Sequence, residues 1–268
     1  VSAVAVDGPV GVDLGAPVAR ANPVAKLAVA TTISLALILT IDPVTAAAAL
    51  ALELLALPLC GLGARGLLRR GWVVLAGAVP AGVATALLGV DSGAVIARLG
   101  PVSVTEGSAA SGVAITLRVL AIGLPGVVLL ATTDPTDLAD ALAQRLRLPH
   151  RFVLSALAAM RLFAVLGEQW QALTAARRAR GLGDDGPVGR VRTAFGQVYA
   201  LLVLALRRAT VLATTMESRG FGAVAHRTWA RPSRFGVRDA VVVLGGLVIA
   251  GAATAAGVAA GTWRLLLT

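Results

Sequence analysis

An all-α integral membrane protein is the fold class this sequence predicts, on three observations. Only 14% of the 268 residues are charged while 57% are hydrophobic, against about 25% charged in ordinary soluble domains. Mean hydropathy is +0.84. The apolar stretches are built from Ala and Leu, good helix formers, and lack the ten-residue alternation of a membrane β-barrel.

Taken in order, residues 1–22 read as a cytoplasmic tail with no apolar core of a cleavable leader. Asn22-Pro23 opens a first span over 27–41. Asp42-Pro43 forces a turn, because proline fixes its own φ and keeps the preceding residue out of the α region. A second span covers 44–62, a basic loop 65–70, and a third span 72–89. Residues 90–111 are Gly-rich and polar, with Asp91, Arg98, Pro101 and Glu106, and read as a loop. A fourth span covers 112–132 and a last one 240–261. Stretches of about 20 residues match a hydrocarbon core of about 30 Å. The chain thus divides into a tail (1–22), four transmembrane helices (23–133), a cytoplasmic module (134–238), and a last transmembrane helix with the C-terminus (239–268).

Charge sets the orientation. Net charge is +10, and 16 of the 23 Arg lie in the 134–238 block. Arg20, Lys26, Arg65, Arg69 and Arg70 flank the same side of the spans. The positive-inside rule places the N-terminus and the block in the cytoplasm. With its basic charge so placed, the chain is expected to meet the lipid bilayer and not nucleic acid.

Within the block, Asp134-Pro135 with Asp137 is a helix start: an acceptor at the cap, Pro at the first position, an acid in the first turn. That helix is expected to stop at Pro149. Two long helices follow, over 151–180 and 188–219. Both are apolar, yet they carry Arg161 and Glu168 in one and Arg207-Arg208 in the other. A charge at the bilayer centre costs about 2.5–3.5 kcal/mol. The pattern therefore predicts amphipathic helices lying at the cytoplasmic membrane face.

Catalytic signatures are missing. Gly61-x-Gly63-x-x-Gly66 and Gly181-x-Gly183-x-x-Gly186 match the spacing of a dinucleotide fingerprint, but no strand precedes either. No P-loop occurs, His150 and His226 are isolated, and Cys60 stands alone, so neither a catalytic residue, a metal site nor a cofactor is expected. Gly246, Gly251, Gly257 and Gly261 form a small-residue stripe suited to close helix packing. Arg118 lies inside the fourth span, where snorkelling toward the outer face is favoured over a functional role. Pro125 is expected to loosen that helix.

The strongest motif is a repeat. Ala179-Arg180-Gly181-Leu182-Gly183 and Ser218-Arg219-Gly220-Phe221-Gly222 each read small, Arg, Gly, apolar, Gly, and each ends a long helix. Dipole capping explains one Arg at a helix end, at about 0.3–1 kcal/mol. It does not explain the same pentapeptide twice. A planar guanidinium that binds carboxylate bidentately, flanked by small residues, suits a docking plug.

At these residues the chain resembles the transmembrane T component (EcfT/CbiQ-like) of energy-coupling factor (ECF) ABC transporters. The resemblance covers residues 22–262. It rests on Pro23-x-x-Lys26, Thr132-Thr133-Asp134-Pro135, Leu148-Pro149, the run Ala176 to Gly181, and Met216-Glu217-Ser218-Arg219-Gly220-Phe221, in that order. Ser218 stands where Ala is common. The resemblance implies a non-catalytic subunit in a bacterial plasma membrane. Its partners would be two ABC ATPase subunits and a small membrane subunit that captures a vitamin or transition-metal ion. Ala179, Arg180, Gly181, Ser218, Arg219 and Gly220 would dock the ATPases; Leu201, Leu202 and Leu204 would meet the capture subunit. Two other classes stand beside it. A pore-lining ABC permease usually couples through short loops. A membrane enzyme acting on lipid or isoprenoid would draw on Asp134, Asp137 and Asp140, the one acidic cluster.

Overall fold

The computed structural model describes residues 13, 15–40, 42–89, 92–99, 102–181, 186–221, 229 and 231–262. Leu182, Gly183, Gly222, His226, Ile41, Asp91, Pro101 and residues 1–12, about which expectations were raised above, lie outside them. The described elements are α1 (Pro23–Ile38), α2 (Pro43–Ala56) with a 3₁₀ turn (Leu57–Cys60), α3 (Ala64–Leu88), β1 (Val95–Leu99), β2 (Val102–Thr105), α4 (Glu106–Thr132), α5 (Pro135–Arg145), α6 (His150–Ala179), α7 (Gly186–Ser218) and α8 (Val237–Ala259). Six of these helical segments are long and apolar enough to cross a membrane, including α6 and most of α7, while α1 is shorter. The all-α membrane class is what the structure shows.

Two compact units result: Val1–Ala141 with Ser233–Thr268, and Leu142–Pro232. In the first, α1, α2, α4 and α8 share a core of Ile33, Leu37, Ala46, Ala49, Ala121, Ala250 and Ala253. Small side chains let the backbones approach, since lipid supplies no hydrophobic force between helices. The last-span stripe acts here within the chain. A Cβ on Gly246 would sit 2.7 Å from a Val29 methyl of α1, and one on Gly257 would sit 2.2 Å from the Thr45 hydroxyl of α2. Gly251 and Gly261 face open space. A second glycine contact joins α3 to α4, where a Cβ on Gly112 would lie 2.6 Å from the Gly82 carbonyl.

Three expectations need correction. Residues 65–70 are not a loop but the first turns of α3, which begins at Ala64. Hydropathy marks where the bilayer begins, whereas Arg and Leu continue a helix into water at little cost. The expected loop at 90–111 contains an antiparallel hairpin, with Val95 opposite Thr105 and Leu99 opposite Val102, and the first turn of α4. The β-branched Val95, Ile96, Val102 and Val104 favour strands. A Thr105–Ser108 capping box then starts α4. The helix expected to reach Pro149 ends at Arg145, ahead of Arg147 at φ 54°. Pro125 does not interrupt α4.

The helix ends of the first unit are tied by buried polar groups. Asn22 caps α1 through Val24 N–H (3.0 Å), its own N–H donates to Asp239 of α8 (2.6 Å), and its amide donates to Ser233 (2.8 Å) and the Arg234 carbonyl (3.1 Å). Lys26 Nζ donates to the carbonyls of Ala19 (2.8 Å) and Thr132 (2.9 Å) and the hydroxyls of Thr132 (3.1 Å) and Thr133 (3.3 Å). So the Pro-x-x-Lys and Thr-Thr-Asp-Pro motifs, a hundred residues apart in sequence, meet in space. At the other end, Asp42 accepts from Thr45 N–H (2.9 Å) and the Thr262 hydroxyl (3.0 Å), and the Arg118 guanidinium donates to the Thr40 carbonyl. Arg118 therefore reaches the end of α1.

Candidate coupling surface

The second unit is dominated by α6 and α7, of 30 and 33 residues. Helices of this length are about 45–50 Å long at 1.5 Å per residue. Near the end of α6, Arg177 Nη1 donates to the Thr193 carbonyl close to the start of α7 (2.9 Å), and Gln197 donates to the Thr174 hydroxyl (3.3 Å). At the opposite end, His150 opening α6 meets Phe221 just past α7, with ring centroids 6.4 Å apart and planes at 81°. Edge-to-face contact is the favoured aromatic arrangement. The pair is antiparallel.

That fixes the Arg tips. Arg180 is the C-cap of α6, and Gly181 follows in the left-handed region at φ 70°. Arg219 follows α7 directly, with Gly220 at φ 74°. In both, the glycine N–H donates three residues back, to Arg178 (3.0 Å) and to Glu217 (2.9 Å). At the second tip the Phe221 N–H also reaches the Met216 carbonyl (2.9 Å), completing a Schellman cap. Because the helices are antiparallel, the two matching tips stand at opposite ends of the pair, roughly one helix length, about 45 Å, apart.

All six candidate docking residues, Ala179, Arg180, Gly181, Ser218, Arg219 and Gly220, are exposed. A Cβ added to Gly181 or Gly220 would meet nothing within 4 Å. Neither Arg180 nor Arg219 hydrogen-bonds through its guanidinium to another described residue. Each tip is thus a left-handed stop holding an exposed cation with no hydrogen-bond partner among the described residues. The helix dipole favours a cation there in any case, and a carboxylate-bearing groove could take the fork bidentately.

The flanks are apolar and uncovered. On α7, Phe195, Tyr199, Leu202, Leu206 and Val211 are exposed, and Gln197 alone among its described residues is buried. Of the three leucines expected to meet a partner, Leu202 is exposed and Leu201 and Leu204 are half-buried. A contiguous apolar face of this kind requires lipid or protein against it. Among the described residues no group of three His, Cys, Asp or Glu could hold a metal ion, so Asp134, Asp137 and Asp140 do not form one. Sequence reasoning missed Asp239 and Glu53, two buried carboxylates. For Glu53, a lone acid in an apolar run was the available signal.

The chain is similar to several known proteins. Residues 15–229 match the family described as cobalt transport protein, CbiQ. The energy-coupling factor transporter transmembrane protein EcfT of Bacillus subtilis (strain 168) is 31% identical over 173 residues, covering 61% of this chain and 65% of that protein. Its namesake in Exiguobacterium sibiricum is 29% identical over 167 residues, 59% and 64% of the two chains. The EcfT of Heliobacterium modesticaldum is 30% identical over 156 residues, 55% and 59%. The matched stretch spans just under two-thirds of each of these relatives.

Proposed function

This chain belongs to the cobalt transport protein family, and we propose that it is the energy-coupling transmembrane subunit of an ECF-type ABC importer in a bacterial plasma membrane. In this reading the N-terminus is cytoplasmic, ATP is hydrolysed by two separate ATPase subunits, and a small membrane subunit captures the cargo, a vitamin or a transition-metal ion. The chain itself performs no chemical step.

The observation that carries the reading is the repeated Arg-Gly cap at opposite ends of one antiparallel helix pair. Two ATPases that approach and separate need two handles at a fixed spacing on a stiff element, and α6–α7 offers them. Arg180 plugs into one ATPase and Arg219 into the other, each guanidinium paired with a carboxylate. Relative motion of the ATPases then levers the two helices against each other. Their uncovered apolar flanks, Leu202 among them, transmit the change to the capture subunit. Near the Arg180 end the two helices are joined by the Arg177–Thr193 and Gln197–Thr174 hydrogen bonds, which that movement would have to strain or break.

Co-purification tests the proposal. The chain is co-expressed with the two ABC ATPases of an ECF transporter and extracted in mild detergent, as wild type and as Arg180→Glu/Arg219→Glu. Wild type retains both ATPases, and the double variant inserts in the membrane but releases them. ATPases held equally by both proteins would remove the plug assignment, and none held by either would remove the coupling role.

A further inference from the structure

In the first unit α1, α2, α4 and α8 line a half-open cavity of about 70 Å³ with almost wholly apolar walls, among them Val29, Val128 and Ile249. Glu53 of α2 lines it, 5% exposed, and neither carboxyl oxygen has a hydrogen-bond partner among the described residues. Lys26 lines it too, but its ammonium group is bound to Ala19, Thr132 and Thr133. A buried carboxyl left without a partner is costly, and native structures seldom leave one so.

The walls and the carboxyl make opposite demands on an occupant. A water needs two to four polar partners and about 10–15 Å³; the space suffices, but Glu53 is the one unsatisfied partner. Pure hydrocarbon satisfies the walls and leaves the carboxyl bare. An alkyl chain ending in a single hydrogen-bond donor satisfies both. The donor is neutral, because Lys26 already sets one cation against the same low-dielectric space. We propose that this cavity binds the hydroxyl end of an alkyl alcohol, with the O–H donated to Glu53 and several carbons along Val29, Val128 and Ile249. The source is either a free alcohol or a membrane lipid with a free hydroxyl, such as a monoacylglycerol.

Cys60, the single cysteine of the chain, lines the same cavity and is a built-in reporter. The chain in phosphatidylcholine nanodiscs is alkylated at Cys60 by iodoacetamide in the presence of 1-hexanol or of methyl pentyl ether, which has the same heavy atoms but no O–H. Half-protection comes at roughly tenfold lower concentration for the alcohol, the effect of one hydrogen bond. Glu53→Leu abolishes that preference, and Glu53→Gln, which still offers an acceptor, keeps it. Equal protection by both probes, or a preference surviving in Glu53→Leu, would overturn the proposal. Nanodiscs doped with monoacylglycerol identify the source: protection there assigns a lipid, and protection by hexanol alone assigns a free alcohol. No ATPase enters the assay, so its result is independent of the coupling role.

Discussion

The two units of this chain spend their polar residues in opposite ways. In the first, Asn22, Lys26, Asp42 and Asp239 are buried and tie helix ends to one another through short hydrogen bonds. In the second, Arg180 and Arg219 stand exposed at helix tips with no partner among the described residues. Buried and satisfied polar groups fix a structure, since leaving one unmade is costly. Exposed cations on rigid stops contribute little to stability and remain available to a partner. One unit spends its charged groups on holding its shape, and the other leaves them exposed.

Substitutions that trade these roles would break the contrast. The largest effect is expected for Arg180→Glu/Arg219→Glu, which turns two attractions into repulsions and weakens ATPase retention on the order of 100-fold; the melting temperature of the isolated chain stays unchanged. A parallel loss of melting temperature would mean that the tips are structural after all. Next comes Lys26→Met. It strips the Thr132 and Thr133 groups of their donor and lowers stability by about 2–3 kcal/mol, read as a drop in detergent melting temperature, with ATPase affinity per folded molecule preserved. Gly246→Leu drives a side chain into Val29 and is expected to cost about 2 kcal/mol by overpacking α1 against α8; Gly251→Leu, which faces open space, serves as its silent control in the same melt. The smallest effect is Gly220→Ala. Nothing obstructs the new methyl, so the cost is the left-handed backbone alone, about 1 kcal/mol, seen as faster amide exchange at the end of α7 and a few-fold loss of retention.

How far the sequence could be read varies by element. The long apolar helices, the Asp42-Pro43 and Asp134-Pro135 starts, and the Arg-Gly stops were legible because each rests on local chemistry: periodic apolar residues, a capping oxygen, a fixed φ, a glycine free to turn left-handed. The start of α3 was not, because Arg65 to Arg70 leave the bilayer without leaving the helix. The hairpin at Val95–Thr105 was hidden by glycines and charges around five β-branched residues, and strand pairing depends on a partner that no local window contains. For the candidate site, the residues themselves were evident from the repeat, but their separation was not.

Composition and local pattern by themselves determined that this protein is a helical membrane chain, with two Arg-Gly tips and no P-loop. Those properties depend on side-chain chemistry within a few residues, or on sums over the whole chain. Tertiary structure alone decided that Lys26 meets Thr132, that Gly246 admits Val29 and Gly257 admits Thr45, that Glu53 faces an apolar cavity, and that the tips point from opposite ends of one helix pair. Each of these depends on which faces of distant helices approach. That choice is made by packing, where glycine and alanine let backbones close and buried polar groups must find partners far along the chain.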